Sequence, residues 1–293
     1  MKYNHGIFTI LLLLLFLSCD SSSDDIDIIE EPVEALNALT LLDASYGDHV
    51  QQIYDIYLPE GRTRKSTKTI ILIHGGSWVA GDKVSMDSYR SQIQSTHPEY
   101  AIVNMNYVLA QPPTIPAFPN QFLDIQLLIQ TLKENSKSLG ITKEFGLVGV
   151  SAGAHIAMMY DYAYDINDDV KFVANIIGPS DFTDPYYEDL NIEATIYDYV
   201  DENAYPEDTN FVETLSPVFA VSDTSSPTLL FYGNQDQRVP LSNAQRLESK
   251  LDNYNIPYLF TVYEGGHGGW DNDSYIDVNL KIGDYIDEFL SID

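Results

Sequence analysis

Five consecutive residues, Gly149-Val150-Ser151-Ala152-Gly153, carry the clearest chemical signal in this chain. An apolar run (Phe145, Leu147, Val148) precedes them and a helix-like run (Ala154, Ile156, Ala157, Met158, Met159) follows. A serine on a sharp strand-to-helix turn, with small neighbours, holds its hydroxyl clear of the backbone, as a nucleophile must. Serine is a weak nucleophile at neutral pH and needs a base within hydrogen-bond reach. Histidine is the usual base, and a buried carboxylate orients it and stabilises its charged form.

Few residues can fill these roles. With an elbow of this kind the acid and then the histidine follow the serine in the chain. His5, His49, His74 and His97 precede Ser151, and His155 sits four residues after it on the following helix, where it reads as structural. His267 is left, in the loop Gly265-Gly266-His267-Gly268-Gly269 after an apolar run. The glycines free that loop to bring an imidazole to the serine. Two acids stand at strand ends. Asp236 lies in Tyr232-Gly233-Asn234-Gln235-Asp236, and Asp181 in Gly178-Pro179-Ser180-Asp181. Either can reach a base, and Asp181 can instead cap the start of the next segment or wall a pocket.

A tetrahedral oxyanion needs at least two converging N–H donors. Ala152, at the start of the helix after the serine, supplies one. His74-Gly75-Gly76-Ser77-Trp78 follows a buried-looking strand and supplies the second. Gly76 is the first choice there, with Gly75 and Ser77 as alternatives. Ser77 and Trp78 are also candidates for the pocket wall, and Trp78 and Asp82 for support of the loop.

These residues need a scaffold, and the sequence outlines one. Ile53–Leu58 alternates with period two, as a half-buried edge strand does. Thr69–Ile73, Tyr100–Met105, Phe145–Val150, Phe172–Ile177, Thr228–Tyr232 and Tyr258–Tyr263 read as further strands. Helical spacing covers Phe122–Leu132, with Asn120 as N-cap and Gly140 as a stop, then Leu241–Leu251 and Tyr275–Leu290. Repeated strand–helix units imply a mainly parallel sheet with helices on both faces, and ligands beyond the carboxyl ends of its strands. The polar segments above all fall at those ends. Phe182–Thr214 interrupts the alternation with ten acids, no Lys or Arg, and seven aromatics. It reads as a lid over the site, or as a solvated helical excursion whose aromatics pack it down.

Composition narrows the class. The chain has 293 residues, with 44 acidic and 15 basic, for a formal charge of −29. Such a charge excludes nucleic acid and an anionic membrane surface as partners. Residues 1–18 have a weakly basic start and a short apolar run, Ile7–Leu17, as a signal peptide does. Cys19, the chain's single cysteine, stands where a bacterial lipoprotein is cleaved and lipidated. No intrachain disulfide can form. Residues 19–41 then read as a lipidated acidic tether, and 42–293 as the catalytic domain. The expectation is an exported protein held to the cell envelope only through this anchor.

From about Leu42 to Leu290 the chain resembles an α/β-hydrolase. His74-Gly75-Gly76-Ser77-Trp78 with Gly81-Asp82, together with the Ser151 pentapeptide, resembles the acetyl-esterase and feruloyl-esterase branch related to hormone-sensitive lipases. That resemblance implies Asp236 as the acid, because its setting is similar to the family's acid loop. It implies hydrolysis of short-chain or aryl carboxylic esters, acetyl or feruloyl groups on polysaccharides among them, with no metal or cofactor. Ser77 departs from the branch, where a third Gly is common. The alternatives are an amidase, formamidase or peptidase of the same fold, or a silent glycan-binding lipoprotein.

Overall fold

The computed structural model describes residues 35–292. The expected signal segment, Cys19 and most of the acidic tether lie outside the described residues.

Eight strands form one sheet in the order β1-β2-β4-β3-β5-β6-β7-β8. They are β1 (Leu39–Ser45), β2 (Ile53–Leu58), β3 (Thr69–Ile73), β4 (Ala101–Met105), β5 (Phe145–Val150), β6 (Val170–Ile176), β7 (Thr228–Gly233) and β8 (Tyr258–Tyr263). From β4 across to β8 all neighbours are parallel. β2 is antiparallel to both β1 and β4. This is the α/β-hydrolase fold. It corrects one expectation: β2 is an interior strand, and β1 holds the edge. The alternation in β2 is real, but β1 covers its free side. β1 itself, Leu39-Thr40-Leu41-Leu42-Asp43-Ala44-Ser45, is almost wholly exposed, so it carries no core-facing signal.

The helices are α1 (Asp87–Thr96), α2 (Asn120–Glu134), α3 (Ser136–Leu139), α4 (Ala152–Met159), α5 (Ile192–Tyr199), α6 (Phe211–Thr214), α7 (Pro217–Ala220), α8 (Leu241–Asn253) and α9 (Asn272–Phe289). The strand pleat divides the core between the two faces. Ile71 and Ile73 of β3 join α2, α4 and α8 through Phe122, Ile125, Ile156 and Leu247. Ile70 and Leu72 join α1 and α9 on the opposite face through Ile93, Val278 and Ile282. β3 is buried over all five residues, the signature of a strand covered on both sides.

Two capping details differ from the sequence reading. Asn120 is the first residue of α2 rather than its cap, and its side chain donates back to Pro116 O. Gly140 stops the separate short helix α3, in the left-handed region at φ 67°.

Candidate active site

The elbow is built from two close approaches. A Cβ on Gly149 would lie 2.5 Å from the Ala154 backbone, so only glycine lets α4 turn back this tightly on β5. A Cβ on Gly153 would lie 2.3 Å from Ile73 O, the end of β3. Between them Ser151 takes φ 53° and ψ −119°, a conformation costing about 1–3 kcal/mol that the surrounding sheet and helix must hold. Ser151 N donates to Ile176 O on β6 at 2.8 Å, and Ser151 O accepts from His155 N at 3.1 Å.

Ser151 Oγ lies 2.9 Å from His267 Nε2, and His267 Nδ1 lies 2.6 Å from Asp236 Oδ2. Asp236 Oδ1 accepts from the backbone N–H groups of Arg238 (2.7 Å) and Val239 (3.0 Å). The Asp236 side chain is wholly buried and that of His267 is 14% exposed. Burial pushes the Asp236 carboxyl up. The hydrogen bonds from His267, Val239 and Arg238 outweigh it and hold the group below the usual carboxylate range. A single buried anion therefore faces the inner nitrogen of a partly open imidazole, and the outer nitrogen faces the hydroxyl.

The histidine loop is pinned rather than loose. Trp270 Nε1 donates to Gly266 O at 3.2 Å, and Gly269 N donates to the Tyr275 hydroxyl at 3.0 Å. Gln235 N donates to Gly265 O at 2.8 Å, tying the acid loop to it.

Ala152 opens α4, so its N–H has no acceptor within the helix. The loop after β3 lies directly against the serine. A Cβ on Gly75 would sit 2.9 Å from Val150 O and 3.2 Å from Ser151 Cβ. Gly76 has φ 128°, and Ser77 and Trp78 follow at 52° and 66°. Left-handed backbone at Ser77 explains why a glycine suits this position in related loops. Behind the loop, His74 stacks on Tyr107 at 4.4 Å and donates from Nδ1 to Gly75 O at 2.7 Å. Asp82 supports the loop as expected, capping the turn Lys83–Met86 and accepting from Asn106 at 2.9 Å.

His155 takes no part in this array. It is fully buried, accepts from Trp78 Nε1 at 3.2 Å, and donates to Leu215 O at 2.8 Å. Burial pushes its imidazole down to about 4, so it is neutral.

Asp181 stands apart from the site. Its carboxylate pairs with Arg246 of α8 and accepts from Thr183 N (2.8 Å) and Thr183 Oγ1 (2.6 Å). It lines neither of the two cavities beside the serine. The capping role also goes elsewhere, to Asp184, which accepts from Tyr186 N ahead of the turn Pro185–Leu190.

Two cavities meet at Ser151. One, of about 130 Å³, is walled by Trp78, Phe182, Tyr187, Ile192 and Val239. The other is an open cleft of about 760 Å³, bounded by Met86, Tyr89, Trp270, Tyr275 and Asn279. Ser77 and Arg238 border both. The segment 182–214 thus divides its work. Phe182, Tyr187 and Ile192 face the smaller cavity, while Tyr197 and Tyr205 pack on Phe211 at 5.1 and 5.4 Å. Tyr186 and Tyr187 donate to Gln237 O and Arg238 O of the acid loop.

Sequence reasoning missed the cleft wall on α9. Asn272, Tyr275 and Asn279 share one helical face through their spacing of three and four, and that polar stripe was the available signal. Among the described residues no group of three or more His, Cys, Asp or Glu could hold a metal ion.

The family model BD-FAE matches residues 54–251. The esterase LipC of Mycobacterium tuberculosis is 22% identical over 231 residues, covering 70% of this chain and 53% of LipC. The chain thus spans about half the length of that curated relative. A truncated carbohydrate esterase from gut microbiota superposes with a TM-score of 0.65 at 19% identity, covering 87% of this chain and 99% of that one. The butyrate-bound esterase Est2 of Thermogutta terrifontis gives 0.70 at 15% identity, covering 87% and 95%. The extent of the family match settles the assignment: this chain belongs to the BD-FAE family.

Proposed function

We propose that the protein is a serine carboxylic ester hydrolase acting on short acyl esters of carbohydrates. The observation that carries this reading is the relay Ser151–His267–Asp236, at 2.9 and 2.6 Å, opening onto both cavities. Ser151 Oγ attacks the ester carbonyl and passes its proton to His267 Nε2. Asp236 holds the Nδ1–H and stabilises the imidazolium. The oxyanion takes the N–H groups of Ala152 and of the Gly75–Gly76 turn. As the tetrahedral centre collapses, the C–O bond to the alcohol breaks, and His267 returns its proton to the departing oxygen. Water, deprotonated by His267, then attacks the acyl-enzyme and frees the acid and Ser151.

Size assigns the two halves of the substrate. A short acyl group suits the apolar cavity of about 130 Å³, and a sugar fits only the cleft of about 760 Å³. The likeness to a carbohydrate esterase and to a butyrate-bound esterase supports a sugar alcohol and a short acyl group as the two halves. Export and lipid attachment at Cys19 complete the proposal and rest on the sequence. They would place the site where acylated glycans are met.

A fluorophosphonate probe tests the reaction class. Wild type should label covalently and release acetate from acetylated oligosaccharides, and Ser151→Ala should do neither. An unlabelled wild type would favour a silent binding protein.

A further inference from the structure

We infer that the alcohol half of the substrate carries a carboxylate, recognised by Arg238, so that the preferred esters sit on uronic acid units. This rests on the carbohydrate-ester reading above and narrows it.

The argument begins with charge. The chain carries 44 acids against 15 bases, yet no Asp or Glu lines either cavity at Ser151. The one Lys or Arg lining them is Arg238, which borders both and is exposed. Other cations either pair with acids, as Lys83 does with Asp55, Lys133 with Asp169 and Arg246 with Asp181, or, like Lys137, Lys143 and Lys250, lie away from both cavities. No such partner meets the Arg238 guanidinium among the described residues. Its backbone is fixed, because Arg238 N donates to Asp236 and Arg238 O accepts from Tyr187. A guanidinium presents paired N–H donors that match a carboxylate in two parallel hydrogen bonds. An anchored, unpaired guanidinium beside an acid-free cleft, in a protein of charge −29, is built to take its anion from a ligand.

The wall of the large cleft suits a sugar. Asn272, the Tyr275 hydroxyl and Asn279 form a polar stripe along it, and Asn279 is held by its Nδ2 donating to Tyr275 O at 2.7 Å. Tyr89, Trp270 and Tyr275 give the same cleft apolar ring surface. The small cavity has no room for a charged ring, which leaves the cleft as the place where ring, hydroxyl and carboxylate are read together.

Turnover of a matched pair decides it: an acetylated methyl galacturonide against the same acetylated methyl galactoside, with an aryl acetate alongside. The two sugars differ in a carboxylate against a hydroxymethyl group. Wild type should favour the uronide in kcat/KM by about tenfold at low salt, chiefly through KM. Added salt should erode the preference. Arg238→Gln should abolish the ratio, and Arg238→Lys should restore part of it. Equal wild-type rates on the two sugars, or a preference that survives Arg238→Gln, would overturn the inference. Activity on the galactoside alone would overturn it and leave the carbohydrate reading standing. Activity on the aryl acetate with neither sugar cleaved would overturn both.

Discussion

At the scale of single residues, the acid is the most exacting position. Asp236 Oδ1 is held by two backbone N–H groups, which leaves Oδ2 for His267. In Asp236→Asn the amide oxygen should keep those two bonds and turn its NH2 toward Nδ1. That forces the imidazole proton onto Nε2, where it can no longer accept from Ser151. The expected result is a loss of about ten-thousand-fold in kcat with KM little changed and the fold intact. Steady-state kinetics on an aryl acetate reads this directly. A loss under tenfold would remove Asp236 from the proposed relay. The histidine and serine were legible from their order in the chain and from the elimination of five other histidines. Position alone did not choose between Asp181 and Asp236, because both close an apolar strand with a polar turn, and only the resemblance to the family's acid loop pointed to Asp236. What separates them is Arg246, which lies 65 residues beyond Asp181 and neutralises it.

At the scale of elements, seven of the eight strands could be read from apolar runs, with ends shifted by at most two residues. The missing strand, β1, pairs along its backbone and buries almost nothing, and hydrophobic pattern is silent about such a strand. The insertion 182–214 was visible as a break in alternation, but its composition could not say which aromatics face a ligand. Three-dimensional packing divides them: Tyr197 and Tyr205 each pack on Phe211, while Phe182 and Tyr187, with Ile192, close the small cavity. If that cavity receives the acyl group, Ile192→Ala lengthens it. The ratio of kcat/KM on aryl butyrate to that on aryl acetate should then rise several-fold. An unchanged ratio would move the acyl group to the other side of Ser151.

At the scale of the whole molecule, charge and buried titratable groups set the response to pH. Asp161 is buried near the starts of β6 and β7, where its carboxylate accepts from Ser226 N (2.9 Å) and Ser226 Oγ (2.7 Å). Burial pushes it up to about 7, against those bonds and with help from Asp165 and Asp168. The folded state thus holds this proton more tightly than the unfolded chain does. The stability it contributes is complete below the ordinary carboxylate value near 4 and is lost as pH rises through 7. His155 works in the opposite direction. With its value down at about 4, stability is lost as pH falls from about 6.5 toward 4. Maximum stability should therefore lie on the acid side of neutrality, where relief of the −29 charge also helps. Urea unfolding at pH 6 and pH 8 checks the first half. Asp161→Asn should weaken the alkaline loss by an amount on the order of 1–3 kcal/mol. Identical pH slopes in variant and wild type would show that Asp161 is already ionised in the fold.

The neutral imidazole of His155 has a mechanical meaning as well. It rides on the helix that begins one residue after Ser151, accepts from the indole of Trp78 in the loop after β3, and holds the carbonyl of Leu215 just beyond the acidic insertion. Phe118, Phe122 and Phe182 surround it at 5.2–5.8 Å and leave no slack. The start of α4, the loop after β3 and the chain at Leu215 are therefore strung on one side chain. A displacement at Leu215 would load the loop around Trp78 and the helix behind Ser151 as well. If 182–214 covers the site as proposed, cover and floor would settle around a bound molecule together.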